Sequence, residues 1–449
     1  MNRAIFPAAL AAWIAASGCA GIDDARRAQD PESAGPGERT VAAREVGLTA
    51  ESTLSLEKGL ELALEHNPRI AAALLRVRQA EARVRQASGA QLPQVSLSAS
   101  GRVLKSGTEG VSNEAVEKSQ SGSLSVSQVL FDFGKSSAAV RQAGEEWNAA
   151  QAELESTRDD LAFELRQSFL SVLKQEELVR VAQETLRQFD KRLEQVRGFV
   201  EVGARARYDL TKAQVDLGNA QLGLVRARTQ LANTRAGLNA LLGLAEDPAY
   251  RLERPPGETG EIPSLETLAA TALARNPRIQ ALRLRESAAG AGVDAAVADL
   301  MPQFSLSGSF SGSGTLTPLA WVASAGPALS WLLFGGGIRT ARLEESVDSL
   351  RSARSARAQA EQQVYSEVRT AAANVSDARE RYRIAELTVL QAAENLDLAQ
   401  GRFEVGRASS VELTDAQVLL ANARGELVQA EFDLQIALAA LRRAAGSIR

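Results

Sequence analysis

The side chains that most often do chemistry are scarce in this sequence. Its 449 residues include one Cys, Cys19, and one His, His66, whereas a structural zinc site takes about four Cys or His ligands. Residues 134–136, Gly-Lys-Ser, match the end of a phosphate-binding loop, but Val129 stands where the first Gly of that motif belongs. No nucleophile stands in a pattern with a general base. We therefore predict that the protein is not an enzyme and has no catalytic residues, no metal site and no cofactor.

Cys19 suits a different reaction, covalent lipidation. It follows a segment with the composition of a secretion signal, in which Arg3 precedes an apolar stretch over residues 5–16. Residues 16–19, Ala-Ser-Gly-Cys, resemble a bacterial lipobox, where small residues precede a Cys that is acylated and becomes the first residue of the mature protein. We expect residues 1–18 to be a signal peptide and Cys19 to carry lipid. The alternative is an ordinary signal peptide with an incidental Cys.

The segment that begins at Cys19 fits a membrane tether. Residue 20 is Ala, and in the lipoprotein sorting rule a residue other than Asp at this position permits export to the outer membrane. Residues 19–53 are rich in Pro, Gly, Ala and charged side chains, a composition typical of flexible linkers. We predict a lipidated flexible segment over 19–53, held firmly if several acyl chains are attached to the one Cys.

Composition excludes nucleic-acid binding and indicates long helices. The net charge is −4 and no basic block occurs, so nucleic acid is not an expected partner. After the N-terminal segment, no apolar run reaches the roughly 18 residues that a transmembrane helix needs. Only 4% of the residues are aromatic, while Ala, Leu, Arg, Glu and Gln dominate, as they do in long packed helices.

An internal duplication divides the chain into two domain-sized repeats. Four segments of the first half return in the same order in the second half: 55–70 as 264–279, 93–98 as 302–307, 201–203 as 404–406, and 210–215 as 413–418. So long a period indicates two fused copies of one unit rather than a solenoid of short repeats. We predict a first repeat over 54–243, a Pro-containing linker over 244–263, and a second repeat over 264–449.

Each repeat contains two segments in which apolar residues alternate with Ser. Residues 95–100 read Val-Ser-Leu-Ser-Ala-Ser, and similar patterns occur around 123–127, 304–310 and 321–333. Alternation with a period of two predicts β-strands. At about 10 residues, with one apolar face and one hydroxyl face, these strands have the length of transmembrane β-strands. A half-buried sheet of a soluble protein is the alternative.

Heptad spacing follows the strands in both repeats. Leu, Val or an aromatic residue recurs every seven residues along four lines: Leu165, Val172, Val179, Leu186, Leu193 and Val200; Leu210, Leu217, Leu224, Leu231 and Leu238; Val368, Val375, Tyr382, Val389, Leu396 and Phe403; Leu413, Leu420, Leu427, Leu434 and Leu441. A seven-residue period predicts coiled-coil packing. We expect a helix over 136–200, about 65 residues and roughly 100 Å long, beside two shorter stacked helices over 207–242 and 277–298.

Together these patterns resemble those of the TolC-like outer-membrane efflux proteins. The resemblance rests on the duplicated order of helices and strands, the Asn-Pro helix entry within 63–68, the strand-to-helix turn at 130–134, and the segment 406–417. It covers residues 54–446, and the lipobox indicates the lipoprotein branch that serves drug-efflux pumps. The fold it implies is mainly α with a small β part. Three chains, with four strands each, would close a twelve-stranded transmembrane β-barrel and a trimeric α-helical barrel of long antiparallel coiled-coil helices.

The resemblance also implies a function and partners. We expect a passive outer-membrane channel of a tripartite efflux system, which receives drugs or other small molecules from an inner-membrane pump of the RND type and a periplasmic adaptor. The channel would be lipid-anchored in the outer membrane, span it and extend into the periplasm, with Trp321 and Trp331 at its lipid interfaces. The alternatives are a lipidated coiled-coil structural or adhesion protein, and the outer-membrane duct of a type I protein secretion or metal-efflux system.

Two hairpin tips, over 201–207 and 404–410, are the predicted functional sites. Each joins two heptad helices at a Gly, the residue that most readily ends a helix, and the helix length places both tips about 100 Å from the barrel. The resemblance implies that the tips contact the adaptor and line the closed periplasmic aperture. The predicted tip residues are Gly203, Arg205, Arg207, Arg402, Glu404, Gly406, Arg407 and Ser409.

Overall fold

The computed structural model describes residue 25 and residues 41–49, 52–106, 115–246, 248, 250–256, 263–315, 320–405 and 407–446. Cys19 and the predicted signal peptide lie outside these residues, as does Gly406 at the second tip. The chain divides into two compact units. The first combines residues 1–72, 157–272 and 366–449, and the second combines 73–156 and 273–365, so that each unit takes segments from both repeats.

Long helices dominate the described part of the chain, and a small sheet accompanies them. In chain order the elements are β1 (Thr53–Leu54), α1 (Leu56–His66), α2 (Pro68–Gly89), β2 (Gln94–Ser106), β3 (Ala115–Phe131), α3 (Lys135–Glu201), α4 (Arg207–Leu241), β4 (Arg251–Leu252), α5 (Leu265–Arg275), α6 (Pro277–Ala298), β5 (Gln303–Gly314), β6 (Ala320–Ser330), α7 (Ile338–Glu404) and α8 (Ser410–Ala444). The same order of helices and strands therefore occurs twice. The predicted fold class, mainly α with a small β part, is confirmed.

In the first unit, Asn67 shows why Asn-Pro marks a helix entry. Asn67 separates α1 from α2, and its Oδ1 accepts a hydrogen bond from the backbone N–H of Arg69 (2.9 Å). Its Nδ2 donates to the carbonyl oxygen of Leu241 at the end of α4 (2.8 Å). Pro68 takes the first helical position, where a missing N–H costs nothing. One buried Asn thus caps one helix and holds the end of another.

Helix-to-helix packing forms the core of the first unit. The buried cluster between α3 and α4 consists of Leu193, Val196 and Ala213, and the cluster between α7 and α8 consists of Ala392, Leu420 and Ala423. Ala213 and Ala423 each follow a heptad Leu by three residues, and their small side chains let the paired helices approach closely. Residues of the predicted heptad lines therefore lie at these helix contacts.

The second unit carries a four-stranded antiparallel sheet in the order β2-β3-β5-β6. Its central pair joins the two repeats, with Leu124 of β3 opposite Phe310 of β5. The strands have 13, 17, 12 and 11 residues, more than the predicted length of about 10. The difference is largest in β2 and β3, because their pairing continues beyond the Ser-rich part as far as Ser106 and Ala115. β6 ends at Ser330 and not, as predicted, at residue 333.

A capped turn connects β3 to α3 in the second unit. Asp132 accepts hydrogen bonds from the backbone N–H groups of Gly134 (3.2 Å) and Ser136 (2.8 Å), as N-cap side chains do. Phe133 and Gly134 have φ values of 55° and 91°, a left-handed conformation that suits Gly better than Phe. Residues 134–136, which match the end of a phosphate-binding loop, are therefore the start of a helix, and Lys135 forms an ion pair with Asp299.

Candidate functional site

The first tip closes with a Schellman motif. α3 ends just before Gly203, which has a φ of +74°. The N–H of Gly203 donates to the carbonyl oxygen of Val200 (3.1 Å). The N–H of Ala204 donates to that of Phe199 (2.8 Å), which completes the pattern of a helix end with Gly in the left-handed position. Apart from its two chain neighbours, no atom of the described residues lies within 4 Å of the place where a Cβ on Gly203 would stand, so Gly is needed here for its backbone conformation rather than for space.

The second tip ends its helix with different hydrogen bonds. The backbone N–H groups of Arg407 and Ala408 both donate to the carbonyl oxygen of Arg402 (2.8 and 3.1 Å). The side chain of Arg402 also reaches Glu412 in the first turn of α8, with Nη2 and Oε2 3.6 Å apart. The second tip therefore has an ion pair across its base that links the two helices of its hairpin.

The tips differ again where the returning helix begins. Ser409 is the N-cap of α8, and its Oγ accepts a hydrogen bond from the N–H of Glu412 (3.1 Å). Ala206 holds the same place before α4, with φ −80° and ψ 152° against −78° and 160° at Ser409, but it makes no side-chain cap bond. The hydroxyl oxygen of Ser409 thus serves as a helix cap, whatever else contacts this tip.

Side chains of the two hairpins meet behind the tips. The Oγ of Ser410 donates to Oδ1 of Asp209 (2.5 Å), which joins the start of α8 to the start of α4. Two guanidinium groups lie over the ring of Phe403, with Cζ of Arg192 at 4.0 Å and Cζ of Arg205 at 4.4 Å from the ring centroid. A cation within about 6 Å of an aromatic face is attracted to it. The structure therefore brings the two predicted tips together.

Arg192 is buried in this contact without a hydrogen-bonded anion. It is 4% exposed, and neither Nη1 nor Nη2 has a hydrogen-bond partner in the part of the chain that the structure describes. Burial lowers the pKa of Arg192 and Arg205 lowers it further, while Asp209 and Asp216 act in the opposite direction. Both carboxylates have other partners, since Asp209 accepts the hydroxyl described above and Asp216 pairs with Lys212 (3.0 Å). The charge of Arg192 is therefore poorly compensated.

The predicted tip residues have different surroundings. Arg205 is half-buried against the Phe403 ring, whereas Arg207, Glu404 and Arg407 are exposed. Exposed charged side chains at a hairpin end can contact a partner protein, whereas the buried Arg192 cannot. Nothing in the described residues assigns these exposed side chains a packing role.

Three residues of the contact lie outside the predicted tips: Arg192, Asp209 and Phe403. Ser410 is the last residue of the predicted second tip but is not among the individual residues predicted there. Phe403 belongs to a heptad line, a pattern that predicts helix packing. Arg192 directly precedes the heptad residue Leu193, and charged residues beside the core positions of a coiled coil usually stay at its surface. The sequence does not reveal that a ring from the other repeat lies against it, because that contact depends on how the hairpins pack.

The sheet of the second unit has a hydroxyl face and an apolar face. On the hydroxyl face, the Oγ atoms of Ser96 and Ser125, Ser98 and Ser123, and Ser100 and Ser121 lie 2.7, 2.7 and 2.8 Å apart. On the apolar face, Leu97 lies opposite Leu124 and is 78% exposed. Exposed apolar side chains over a whole face indicate a surface that is covered by another apolar phase.

A cavity of about 290 Å³ lies where this sheet meets its helices, within the second unit. Lys135, Asp299 and Arg339 line it together with Trp331 and Leu332. Lys135 donates to Asp299, and Nε of Arg339 is 3.6 Å from Oδ2 of Asp299. The hydrogen bond from Lys135 lowers the pKa of Asp299, and the positive charges around it add to this effect against the cost of burial. The carboxylate is therefore held in its charged form.

Among the described residues, no helix combines the length and the hydropathy needed to cross a membrane. The same residues contain no group of three His, Cys, Asp or Glu side chains placed to hold a metal ion.

Comparison with known proteins identifies the family. The model of the outer membrane efflux protein family matches residues 59–244 and 268–447. The chain is 24% identical to outer membrane efflux protein BepC of Brucella suis over 72% of this chain and 71% of that protein. It is also 24% identical to TtgC, the toluene efflux pump outer membrane protein of Pseudomonas putida, over 95% and 92%.

A solved structure agrees with this assignment at the level of the fold. The outer membrane channel CmeC of Campylobacter jejuni superimposes with a TM-score of 0.77 at 18% identity, covering 88% of this chain and 86% of that one. The two family matches together span most of the chain. The chain belongs to the outer membrane efflux protein family, and it is a passive channel protein of the outer membrane rather than an enzyme.

Proposed function

We propose that this chain forms a homotrimer that is the outer-membrane exit channel of a tripartite efflux system. The observation that carries the proposal is the four-stranded sheet, whose edge strands β2 and β6 each have one partner strand among the described residues. Lipid cannot satisfy the backbone groups of an open sheet edge, so such a sheet must close to span a membrane. Three copies, joined β6 to β2, supply twelve strands and leave no edge.

The two faces of the sheet give the barrel its inside and outside. The apolar face, with Leu97 and Leu124, is suited to contact with lipid, and the hydroxyl face is suited to a water-filled lumen. A lumen lined with uncharged hydroxyl groups discriminates little among solutes by charge. Small organic molecules are therefore the proposed cargo, and the name of the relative TtgC, a toluene efflux pump outer membrane protein, supports that class. A structural or adhesion protein would have no use for such a sheet.

The hairpin tips are the proposed contact with a periplasmic adaptor and the rim of the closed aperture. The residues proposed for this role are Gly203, Arg205, Arg207, Arg402, Glu404, Gly406, Arg407 and Ser409. An inner-membrane pump, of the RND type, would supply the energy through that adaptor. Acylation of Cys19 would add a lipid anchor.

Trimeric closure is tested by cysteine crosslinking between the edge strands. Ser98→Cys in β2 combined with Ser324→Cys in β6 is expected to crosslink neighbouring copies and give a covalent trimer on a denaturing gel. Ser309→Cys with Ser324→Cys is the matched control, because these Oγ atoms are 2.9 Å apart within one chain and should give only crosslinked monomer. Light scattering that reports a detergent-solubilised monomer or dimer would contradict the proposal.

Docking at the tips is tested with bulky replacements of the two tip glycines. Gly203→Val and Gly406→Val are each expected to leave trimers intact yet abolish drug resistance and adaptor crosslinking in a strain that lacks its own channel. Gly223→Val, at an exposed position of α4 where no described atom outside the helix lies within 4 Å of the added Cβ, is the control. Normal crosslinking and normal resistance in both tip variants would exclude the tips as the docking site.

A further inference from the structure

The junction between sheet and helices carries a charged cavity that export does not use. Within the second unit, Lys135, Arg339 and Asp299 line this cavity, and Arg342 lies close enough to Asp299 to lower its pKa. Lys135 and Arg339 both pair with the same carboxylate. The other nearby carboxylate, Asp132, accepts hydrogen bonds from the turn at Gly134 and Ser136. Lys135, Arg339 and Arg342 are thus gathered around one carboxylate, Asp299, while Glu345 lines the neighbouring cavity together with Arg342.

One nitrogen at this junction lacks a partner. Nη1 of Arg339 is buried and has no hydrogen-bond partner among the residues that the structure describes, while Nε of the same side chain faces Asp299 at 3.6 Å. A guanidinium donates through several N–H groups in a fixed fork and matches the oxygens of a phosphate well. A phosphate oxygen would supply the hydrogen-bond acceptor that Nη1 of Arg339 lacks among the described residues.

An exposed apolar segment begins at the same cavity. The side chains of Trp331 and Leu332 are exposed although they line it, and those of Leu333 and Phe334, which follow, are 77% and 85% exposed. Trp331 is fixed by a hydrogen bond from its Nε1 to the carbonyl oxygen of Leu300 (3.2 Å). Trp331 follows Leu329 by two residues, and Leu329 lies opposite Phe304 at the end of the apolar face of the sheet. The segment is therefore continuous with the face that contacts lipid.

We propose that this junction binds a membrane glycerophospholipid, with its phosphate at Arg339 and Arg342 and an acyl chain along residues 331–334. Tryptophan at the boundary between apolar core and headgroups, with basic side chains beside it, is the arrangement that such a lipid fits. The site rests on the outer-membrane location of the family and not on adaptor docking or cargo. If this lipid site proves wrong, the export proposal still stands. The glycine variants at the tips should likewise not change lipid binding at this junction.

Lipid titration of the purified full-length protein tests the charged half of the site. In non-ionic detergent, native mass spectrometry with phosphatidylglycerol is expected to show about tenfold weaker binding for Arg339→Gln and Arg342→Gln, because each loses one charge-assisted contact. Arg342 is exposed, so its replacement should not disturb folding. Arg351→Gln, an exposed position further along α7 that pairs with Asp348 (3.1 Å), should bind as the wild type does. Equal binding by all these variants would overturn the proposal.

The apolar half separates a lipid from a free phosphate ion. The double variant Leu333→Ser, Phe334→Ser should also lose about tenfold in affinity, whereas Leu97→Ser, an equally exposed change on the sheet, should not. Inorganic phosphate should compete poorly. Full competition by inorganic phosphate with no effect of the double variant would mean an ion site and overturn the lipid proposal. Binding by monomers but not by trimers would mean that a second copy covers the surface, which would overturn it as well.

Discussion

The two hairpin tips occupy equivalent places in the two repeats, yet they are secured differently. The first relies on the positive φ of Gly203, and its returning helix starts at Ala206 without a side-chain cap. The second has the Ser409 cap and an ion pair from Arg402 to Glu412. An N-cap hydroxyl is worth about 1 kcal/mol, and an exposed ion pair adds at most about 1 kcal/mol. We therefore expect the first tip to open more readily than the second.

The contact behind the tips adds a second asymmetry. Both guanidinium groups over the Phe403 ring, those of Arg192 and Arg205, belong to the first hairpin, and the ring belongs to the second. The first hairpin thus carries the poorly compensated charge, and the second supplies apolar surface. The two repeats have helices of equal length, 67 and 35 residues in each, but different contacts secure the ends of the two hairpins.

Arg192→Met should have the largest effect and raise local stability at both tips. Relief of a desolvation cost of several kcal/mol outweighs a lost cation–π attraction of up to about 2 kcal/mol, so we expect a net gain of about 1–2 kcal/mol. Hydrogen exchange of the tip peptides, followed by mass spectrometry, measures the change. Arg197→Met, at an exposed position on the same helix, should be nearly neutral. Faster exchange in Arg192→Met would mean that the charge is well paired after all.

Gly203→Ala should destabilise the first tip by about 1–2 kcal/mol, because an L-residue pays that amount in the left-handed conformation. Gly198→Ala is the matched control: Gly198 lies inside α3, where no described atom outside the helix backbone is within 4 Å of an added Cβ, and its replacement should stabilise the helix by about 0.5–1 kcal/mol. The exchange rates of the two variants should therefore move in opposite directions. A common direction would show that φ at Gly203 is not what limits the first tip.

Ser409→Ala should cost the second tip about 1 kcal/mol through loss of its N-cap hydrogen bond. The prediction bears directly on the comparison, since the variant gives the second tip the same uncapped start as the first. Exchange of the Glu412 amide is the most direct reporter, because that N–H donates to Ser409. If the amide of residue 412 exchanges equally slowly in the wild type and in Ser409→Ala, the cap is not the reason that the two tips differ in stability.

The sequence predicts the long elements far better than the contact between the tips. The heptad spacing and the Gly at its end predict α3 to within one residue at each end. Both signals depend only on residues that are close together in the sequence. The alternation of Ser with apolar residues predicts the strands, but not that β2 and β3 stay paired through Arg102 and Lys118, where the alternation fails. The stacking of Arg192 on Phe403 joins residues from different repeats, and no local signal specifies it.

Ala206→Ser should have the smallest effect and completes the comparison by moving the first tip toward the second. Ala206 already has the extended backbone of an N-cap, with φ −80° and ψ 152°, so a Ser there needs no rearrangement to accept from the N–H of Asp209. That N–H now donates to the carbonyl oxygen of Ala206 (3.0 Å), and the exchange of one acceptor for another limits the expected gain to about 0.5 kcal/mol. We expect slower exchange at residues 208–210 in Ala206→Ser and faster exchange at residues 411–413 in Ser409→Ala. In the double variant, the second tip should therefore open before the first.

If the first tip still opens first in the double variant, the charge of Arg192 rather than the missing cap makes it open. Adding Arg192→Met to the double variant should then abolish the early opening of the first tip.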